Sequence, residues 1–220
     1  VQIGSAAAKA GTALSITGDA ETLVTLTTLD ICGETRGVAV TGADGSLPKV
    51  TLTGAAAAKQ PVTGSGVGVE AVYADLTMTN YAIESATGVS ATSSVFNLTG
   101  STVTATQTGM TLKDTTAATL DNVDVTSAGS GVVIENQTHV TLENTVNVTA
   151  AQTAVSVAGG STLQNRSGSG TFKSTGSTDG AIALCAADSS TVTLNQYTFL
   201  AQNANGQGVI VTGSSMADLS

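Results

Sequence analysis

Apolar residues recur along this chain in short groups whose members lie two positions apart. One column of such residues, spaced by 20 to 31 positions, comprises Leu26, Leu52, Met78, Leu98, Leu120, Leu142, Leu163 and Leu194. A second column, in which Gly or Ala precedes each residue, comprises Val38, Val67, Val89, Met110, Val132, Val155, Ile182 and Val209. A period of two is typical of strands that bury one face. The pattern therefore predicts short β-strands that repeat along the chain.

Residues that tolerate sharp corners follow the strands of the first column. Asn or Gly lies two positions after six of its eight members, and we predict that these six form a turn ladder: Gly54, Asn80, Gly100, Asn122, Asn144 and Asn165. Both residue types accept left-handed backbone angles. We expect the Asn side chains to stack as an amide ladder that Gly100 interrupts. Units of this length, without helical periodicity, predict an all-β fold, a right-handed parallel β-helix solenoid of about eight to nine coils.

Quasi-linear repetition predicts one domain over residues 1–220, with an irregular segment or N-terminal cap over 1–23 and repeating coils over 24–220. Two spacings exceed the basic coil, and we expect extra loops over 164–180 and 195–206. Loops on a stiff scaffold often carry binding residues. The candidates there are the rare cations Arg166 and Lys173, Tyr197 as a stacking surface, and Asn203 and Asn205 as hydrogen-bonding groups. The same lengths are also consistent with tolerated insertions that bind nothing.

The charge and the cysteine content of the chain limit the kinds of partner and cofactor that it can bind. The net charge is −9, with seven scattered Lys and Arg, so we expect no nucleic-acid partner. No apolar run approaches the ~18 to 20 residues of a membrane span. Cys32 and Cys185 lack CxxC spacing, so we expect no metal and no cofactor. Their coils would lie roughly 25 to 30 Å apart at about 4.8 Å per coil, too far for a disulfide, which predicts two free thiols.

Candidate catalytic and ion-binding residues are few. Asp121, Asp124 and Glu143 could pair carboxylates across one face, as polysaccharide-cleaving β-helices do. Their neighbours are Asn, Thr and Val rather than Arg or Lys, and the sole His139 is expected to face outward from a strand. We therefore predict that the chain is not an enzyme. The acids also lack the spacing of a calcium-binding loop. Four N-x-S/T sequons are weak evidence for glycosylation, because the chain is so rich in Thr and Ser.

Repeated T-x-T runs suggest a hydroxyl-lined face of the ice-binding kind. Examples are the T-L-T, T-M-T and T-V-T runs that recur between Thr25 and Thr104. The T-x-T columns do not look regular in the sequence, and Thr is a common residue at exposed strand positions. This pattern therefore favours ordinary exposed strands.

Several units resemble the passenger coils of pertactin-like bacterial autotransporters. The resemblance lies in G-V-E-A-V-Y-A-D-L-T-M-T-N from Gly68, G-M-T-L-K-D-T-T-A-A-T-L-D-N from Gly109 and G-V-V-I-E-N-Q-T-H-V-T-L-E-N from Gly131. That family's coil has a small residue, a V-x-V strand, a polar turn and a strand ending in V-x-L-x-G/N. The similarity extends from Leu26 to Leu219, whereas the N-terminal segment fits the coil poorly.

The resemblance implies a secreted protein on the surface of a Gram-negative bacterium, and a fragment of a longer passenger. Its contact with a membrane would be through a C-terminal outer-membrane barrel absent from this sequence. Proteins of this family commonly act in virulence as adhesins, so we expect a host glycan or an extracellular-matrix protein as partner. Two alternatives stay open: self-association that drives bacterial aggregation or biofilm formation, and a polysaccharide lyase or hydrolase on the same fold.

Overall fold

The computed structural model describes residues 2–3, 10–176 and 181–220, and within these ranges every regular element is a β-strand. Parallel pairing arranges the strands as a solenoid of about nine coils, which confirms the predicted all-β parallel solenoid. The handedness of the coil stays a prediction. The strands are β1 (Gln2–Ile3), β2 (Ala10–Thr17), β3 (Leu23–Thr27), β4 (Asp30–Thr41), β5 (Lys49–Thr53), β6 (Gln60–Val72), β7 (Asp75–Thr79), β8 (Tyr81–Thr92), β9 (Val95–Thr99), β10 (Thr102–Lys113), β11 (Ala117–Ser127), β12 (Ser130–Ile134), β13 (His139–Ala150), β14 (Thr153–Val157), β15 (Thr162–Asn165), β16 (Gly170–Ser174), β17 (Ile182–Ala186), β18 (Thr191–Leu194), β19 (Tyr197–Ala201), β20 (Gln207–Val211) and β21 (Met216–Leu219).

Three parallel faces make up each coil, and the chain visits them in the order A, B, C. Face A comprises β1, the first halves of β4, β6, β8 and β10, the second halves of β11 and β13, and then β16 and β19. Face B comprises β2, the second halves of β4, β6, β8 and β10, and then β12, β14, β17 and β20. Face C comprises β3, β5, β7, β9, the first halves of β11 and β13, and then β15, β18 and β21. The long strands bend at corners instead of ending there.

The core is built from like residues stacked coil over coil. On face C, Leu26 pairs with Leu52, which pairs with Met78, and the column continues in register through Leu142. The inward residues of the interior coils are almost fully buried, with Leu52, Met78 and Leu98 at 0% exposure. This column of the prediction is confirmed over six coils.

For three members of the predicted columns, the predicted position is wrong by two residues. Leu163 pairs with Val140, so Asn165 lies beside Leu142. On face B the column contains Val69 and Leu184, where the sequence predicted Val67 and Ile182. The shift at Leu163 arises because Ser161 lies in the corner before β15, so that Leu163 is only the second residue of that strand.

A column of buried hydroxyl groups occupies the corner before face C. Its buried members are Ser94, Thr116, Thr138, Ser161 and Ser190, and the half-buried Ser215 continues the column in the last coil. The Ser161 hydroxyl donates to the Ala158 carbonyl at 2.6 Å and accepts from the Thr138 amide of the preceding coil at 3.2 Å. The hydroxyls of Ser94, Thr116, Ser190 and Ser215 likewise bond to backbone groups that the corner takes out of the sheet. Thr138 differs, because its fully buried Oγ1 has no hydrogen-bond partner among the described residues.

The predicted turn ladder is correct at four of its six positions. Asn80, Gly100, Asn122 and Asn144 have positive φ values of 61°, 59°, 52° and 53°. Gly54 and Asn165 do not have positive φ values: Gly54 directly follows β5, and Asn165 is the last residue of β15.

Other interactions explain the residues that depart from the ladder. Gly54 is needed for close approach, since a Cβ there would lie 2.2 Å from the Asn80 carbonyl oxygen. The Asn165 side chain accepts from the Asn195 amide at 2.8 Å. Asn144 does not stack on another amide but donates to the Asp121 carboxylate at 2.7 Å.

The coils begin earlier and contain shorter loops than predicted. Strand β2 pairs in parallel with β4, so the repeat starts before residue 24 and much of the predicted cap is regular. The expected loops over 164–180 and 195–206 contain the face A strands β16 and β19. Residues 177–180 of the first lie outside the described residues. Cys32 and Cys185 are both free, as predicted.

Candidate functional site

The five predicted binding residues do not form one site. Arg166 is in the turn between faces C and A, where its Nη1 lies 2.8 Å from Oε1 of Glu143. Lys173 is half-buried on face A and pairs in register with Leu200. Asn203 and Asn205 lie in the turn between faces A and B of the last coil, where the Asn205 amide donates to Asn203 Oδ1 at 2.9 Å. The two turns are on opposite edges of face A.

Tyr197, which the sequence suggested as a stacking surface, is partly buried and packs against the core. Its ring centroid lies 5.0 Å from that of Phe172, and the two rings pack against the apolar core. The hydroxyl is buried and has no hydrogen-bond partner among the described residues. Because burial disfavours the charged phenolate, it raises the pKa of Tyr197 to about 12.

The candidate carboxylates are each paired with a residue of the next coil. Asp124 accepts from the Asn147 amide at 2.9 Å, as Asp121 does from Asn144, while Glu143 binds Arg166. His139 is exposed and shares a 2.6 Å hydrogen bond with the Thr162 hydroxyl. Among the described residues, no three acids, His or Cys form a group that could hold a metal ion. The arrangement is that of interstrand polar pairs along a sheet.

A trough runs along the corner between faces B and C. Two adjoining hollows of about 410 and 460 Å³ share Ser93 and Thr115. Together they span six coils, from the turn after β4 to the turn after β14. This B–C trough is lined by Asp44, Gly45, Leu47, Tyr73, Ser93, Asp114, Thr115, Asn136, Gln137 and Gly159.

Left-handed turn residues shape this trough. Asp114 and Thr115 have φ values of 56° and 64°, and Asn136 and Gln137, one coil on, have 57° and 60°. The turns stack through their backbones, since the Thr115 amide donates to the Asn136 carbonyl at 2.9 Å. The backbone is thus satisfied within the stack, and the turn side chains remain available to line the trough.

The trough combines one aromatic ring with several hydrogen-bonding groups. Tyr73 is half-buried, and Asp44 comes from the turn between β4 and β5. The Asp114 carboxylate accepts from the Asn136 amide at 2.8 Å through one oxygen, which leaves its other oxygen free to accept from a ligand. No Lys or Arg lines either hollow. An apolar ring beside carboxylate and amide groups is suited to a neutral ligand rich in hydroxyl groups.

Sequence reasoning missed the trough, although a signal for it exists. Two turn residues followed by a buried Ser or Thr recur before face C, as in D-T-T from Asp114, N-Q-T from Asn136, G-G-S from Gly159 and D-S-S from Asp188. A search for this tripeptide would have located the corner. The residues that bind there still could not have been named, because the trough is formed by several coils together.

No protein-family model, no curated protein and no solved structure matches this chain. The resemblance to autotransporter passengers therefore depends on the repeat pattern, of which the parallel β-solenoid is the confirmed part. None of the described residues forms a helix long and apolar enough to cross a membrane.

Proposed function

We propose that this chain is the ligand-binding rod of a secreted, cell-surface adhesin of the autotransporter type, and that it binds a neutral glycan along the B–C trough. The observation that carries the proposal is the trough itself. It places Tyr73, Ser93, Asp114 and Asn136 on four successive coils along the rod, with Gln137 next to Asn136 in the same turn.

Geometry favours an extended ligand over a compact one. The trough is open along its length, and successive coils repeat at about 4.8 Å, so a polymer lying along the rod meets a new set of polar groups at each coil. Each hydrogen bond to an exposed group contributes little, about 0.5 to 1.5 kcal/mol. Several coils acting together, and several rods on one cell, then supply useful avidity.

Charge favours a neutral glycan over a sulfated or sialylated one. Asp44 and Asp114 are the charged residues lining the trough, in a chain of net charge −9. The negative charges of an anionic sugar would be repelled by the carboxylates of this surface. Hydroxyl groups of a neutral sugar can instead donate to the carboxylates and accept from the Asn136 and Gln137 amides.

A glycan array probed with the folded chain tests the proposal. Tyr73→Asn removes the ring but keeps a residue type that tolerates positive φ, and Gln137→Gly removes a trough side chain in the same way. Ser189→Gly is the matched control, since Ser189 has the same turn geometry (φ 62°) outside the two hollows. We expect a neutral glycan to bind, with at least a tenfold loss of affinity for Y73N and Q137G and no loss for S189G.

Failure to bind any neutral glycan, or undiminished binding by Y73N, would overturn the trough as the site. Sedimentation across a concentration series addresses the self-association alternative. A chain that forms higher assemblies while binding no glycan would replace the adhesin proposal with that alternative.

A further inference from the structure

Face C presents a second surface that the trough does not use. The T-x-T pairs of β3, β5 and β7 lie side by side, and Asn97 and Thr99 of β9 continue them. We name these eight outward residues the threonine grid. Register fixes the grid, because Thr51 pairs with Thr25 and Thr77, while Thr53 pairs with Thr27 and Thr79. The expectation that the T-x-T columns are irregular is therefore wrong for the three consecutive coils that contain β3, β5 and β7.

The grid has two fixed repeats. Adjacent coils are separated by about 4.8 Å, and outward residues two apart on one strand by about 6.6 Å. All four strands have five residues. The three T-x-T pairs recur at equal spacings of 26, but the fourth pair is Asn97–Thr99 after a spacing of 20, and the next T-x-T run, Thr102–Thr104, lies on face A.

Packing beneath the grid makes it rigid. Leu52, Leu76, Met78, Phe96 and Leu98 point inward from the same strands and are 0% exposed. The Thr side chains themselves are β-branched and restricted at χ1 by the strand. The hydroxyl and methyl groups are thus held in nearly fixed positions before any ligand arrives, which lowers the entropy cost of binding.

The grid carries no charge, although the chain is strongly acidic. The nearest ion pair, Lys49 Nζ to Asp75 Oδ2 at 3.7 Å, lies in the neighbouring outward column. Beyond four coils the second column changes from Thr to Asp121 and Glu143. The grid also contains no aromatic ring for a sugar to stack on. An electrically neutral surface of alternating methyl and hydroxyl groups complements an equally neutral lattice rather than an ion.

We propose that the threonine grid binds the surface of an ice crystal. Such binding requires that the two repeats of the grid, about 4.8 and 6.6 Å, fit the spacing of water oxygens on one face of the crystal. Hydroxyl groups in register can take up hydrogen-bonding positions of that lattice, while the methyl groups lie in the gaps between water molecules. Many individually weak contacts made together by a rigid surface then hold the protein on the growing crystal face. The inference goes beyond the proposed glycan binding and does not depend on it.

Ice growth in the presence of the folded chain provides the test. Thr51→Lys combined with Thr77→Glu places an ion pair in the middle of the grid, and opposite charges on paired strands keep the sheet stable. Thr126→Lys with Thr149→Glu is the matched control, since these residues are register partners on face A. Circular dichroism melts establish that both variants are folded.

We expect the unmodified chain to depress the growth temperature of ice below its melting temperature and to slow recrystallisation. The grid variant should lose at least tenfold in both activities, whereas the face A variant and Y73N should retain them. An unmodified chain without effect on ice, or a face A variant as impaired as the grid variant, would overturn the inference. Loss of glycan binding in Y73N with ice activity intact would separate the two surfaces.

Discussion

Gly109 tests how closely successive coils approach on face B. It is buried, and a Cβ built there would lie 2.4 Å from Val125 Cγ1 and 2.6 Å from the Gly131 carbonyl oxygen. Carbon–oxygen contacts of this kind normally lie near 3.3 Å, so Gly109→Ala must displace the next coil by about 0.7 Å. Overpacking of this size costs about 1 to 3 kcal/mol. The neighbouring Met110–Val132 pairing would be strained as well.

Gly208→Ala is the matched control, because Gly208 precedes the same column in the last coil and its added Cβ would meet nothing nearer than 4.0 Å. Where Ala fits without strain it stabilises by about 0.4 to 1 kcal/mol through the unfolded state. Urea unfolding followed by circular dichroism should therefore lower the midpoint for G109A and leave it unchanged or raised for G208A, at equal m-values. A G109A chain within about 0.5 kcal/mol of the parent, or equal loss in both variants, would refute the stacking argument.

Two further substitutions test buried polar groups. Ser161→Ala should destabilise the fold by about 1 to 3 kcal/mol, because it leaves the Thr138 amide without its acceptor, whereas Thr138→Val should be neutral or stabilising in the same urea assay. Equal effects would contradict the hydroxyl column. Tyr197→Phe should reduce the loss of folding stability at alkaline pH. Burial raises the pKa of Tyr197 from 10.0 to about 12. The stability that the neutral hydroxyl contributes is therefore complete below pH 10 and is lost as the pH rises through about 12. Unfolding curves at pH 9 to 12 that coincide for the two chains would contradict this assignment.

The repeat could be predicted from the sequence because stacking imposes one residue type on each inward position. Leu52, Met78 and Leu98 follow one another at the same place in each coil, and their spacing alone identifies them. The prediction failed where another interaction replaced that constraint. At Leu163 the inward position after it is filled by Asn165, which bonds to the backbone of Asn195. Because an apolar residue is expected at this position, the sequence pattern assigns Leu163 to it, two residues before the residue that occupies it.

The functional surfaces were harder to predict than the fold. Loop length directed attention to Arg166 and Tyr197, but one is engaged in an ion pair and the other is packed against the core. Much of the B–C trough depends on short turns, such as 114–116 and 135–138, which do not make their coils stand out by length. The threonine grid depends on the register between strands of successive coils, which the T-x-T pattern alone does not establish.

Cross-linking across the grid tests the register on which both proposed surfaces depend. In a chain with Cys32→Ser and Cys185→Ser, Thr51→Cys and Thr77→Cys replace register partners, whose Cα atoms should lie about 4.8 Å apart. Thr51→Cys with Thr79→Cys replaces a diagonal pair at about 8 Å, beyond the roughly 7 Å that a disulfide can bridge. Oxidation followed by peptide mass spectrometry should give an intramolecular disulfide for the first pair and none for the second. A disulfide in the diagonal pair, with none between the register partners, would contradict the coil stacking described here.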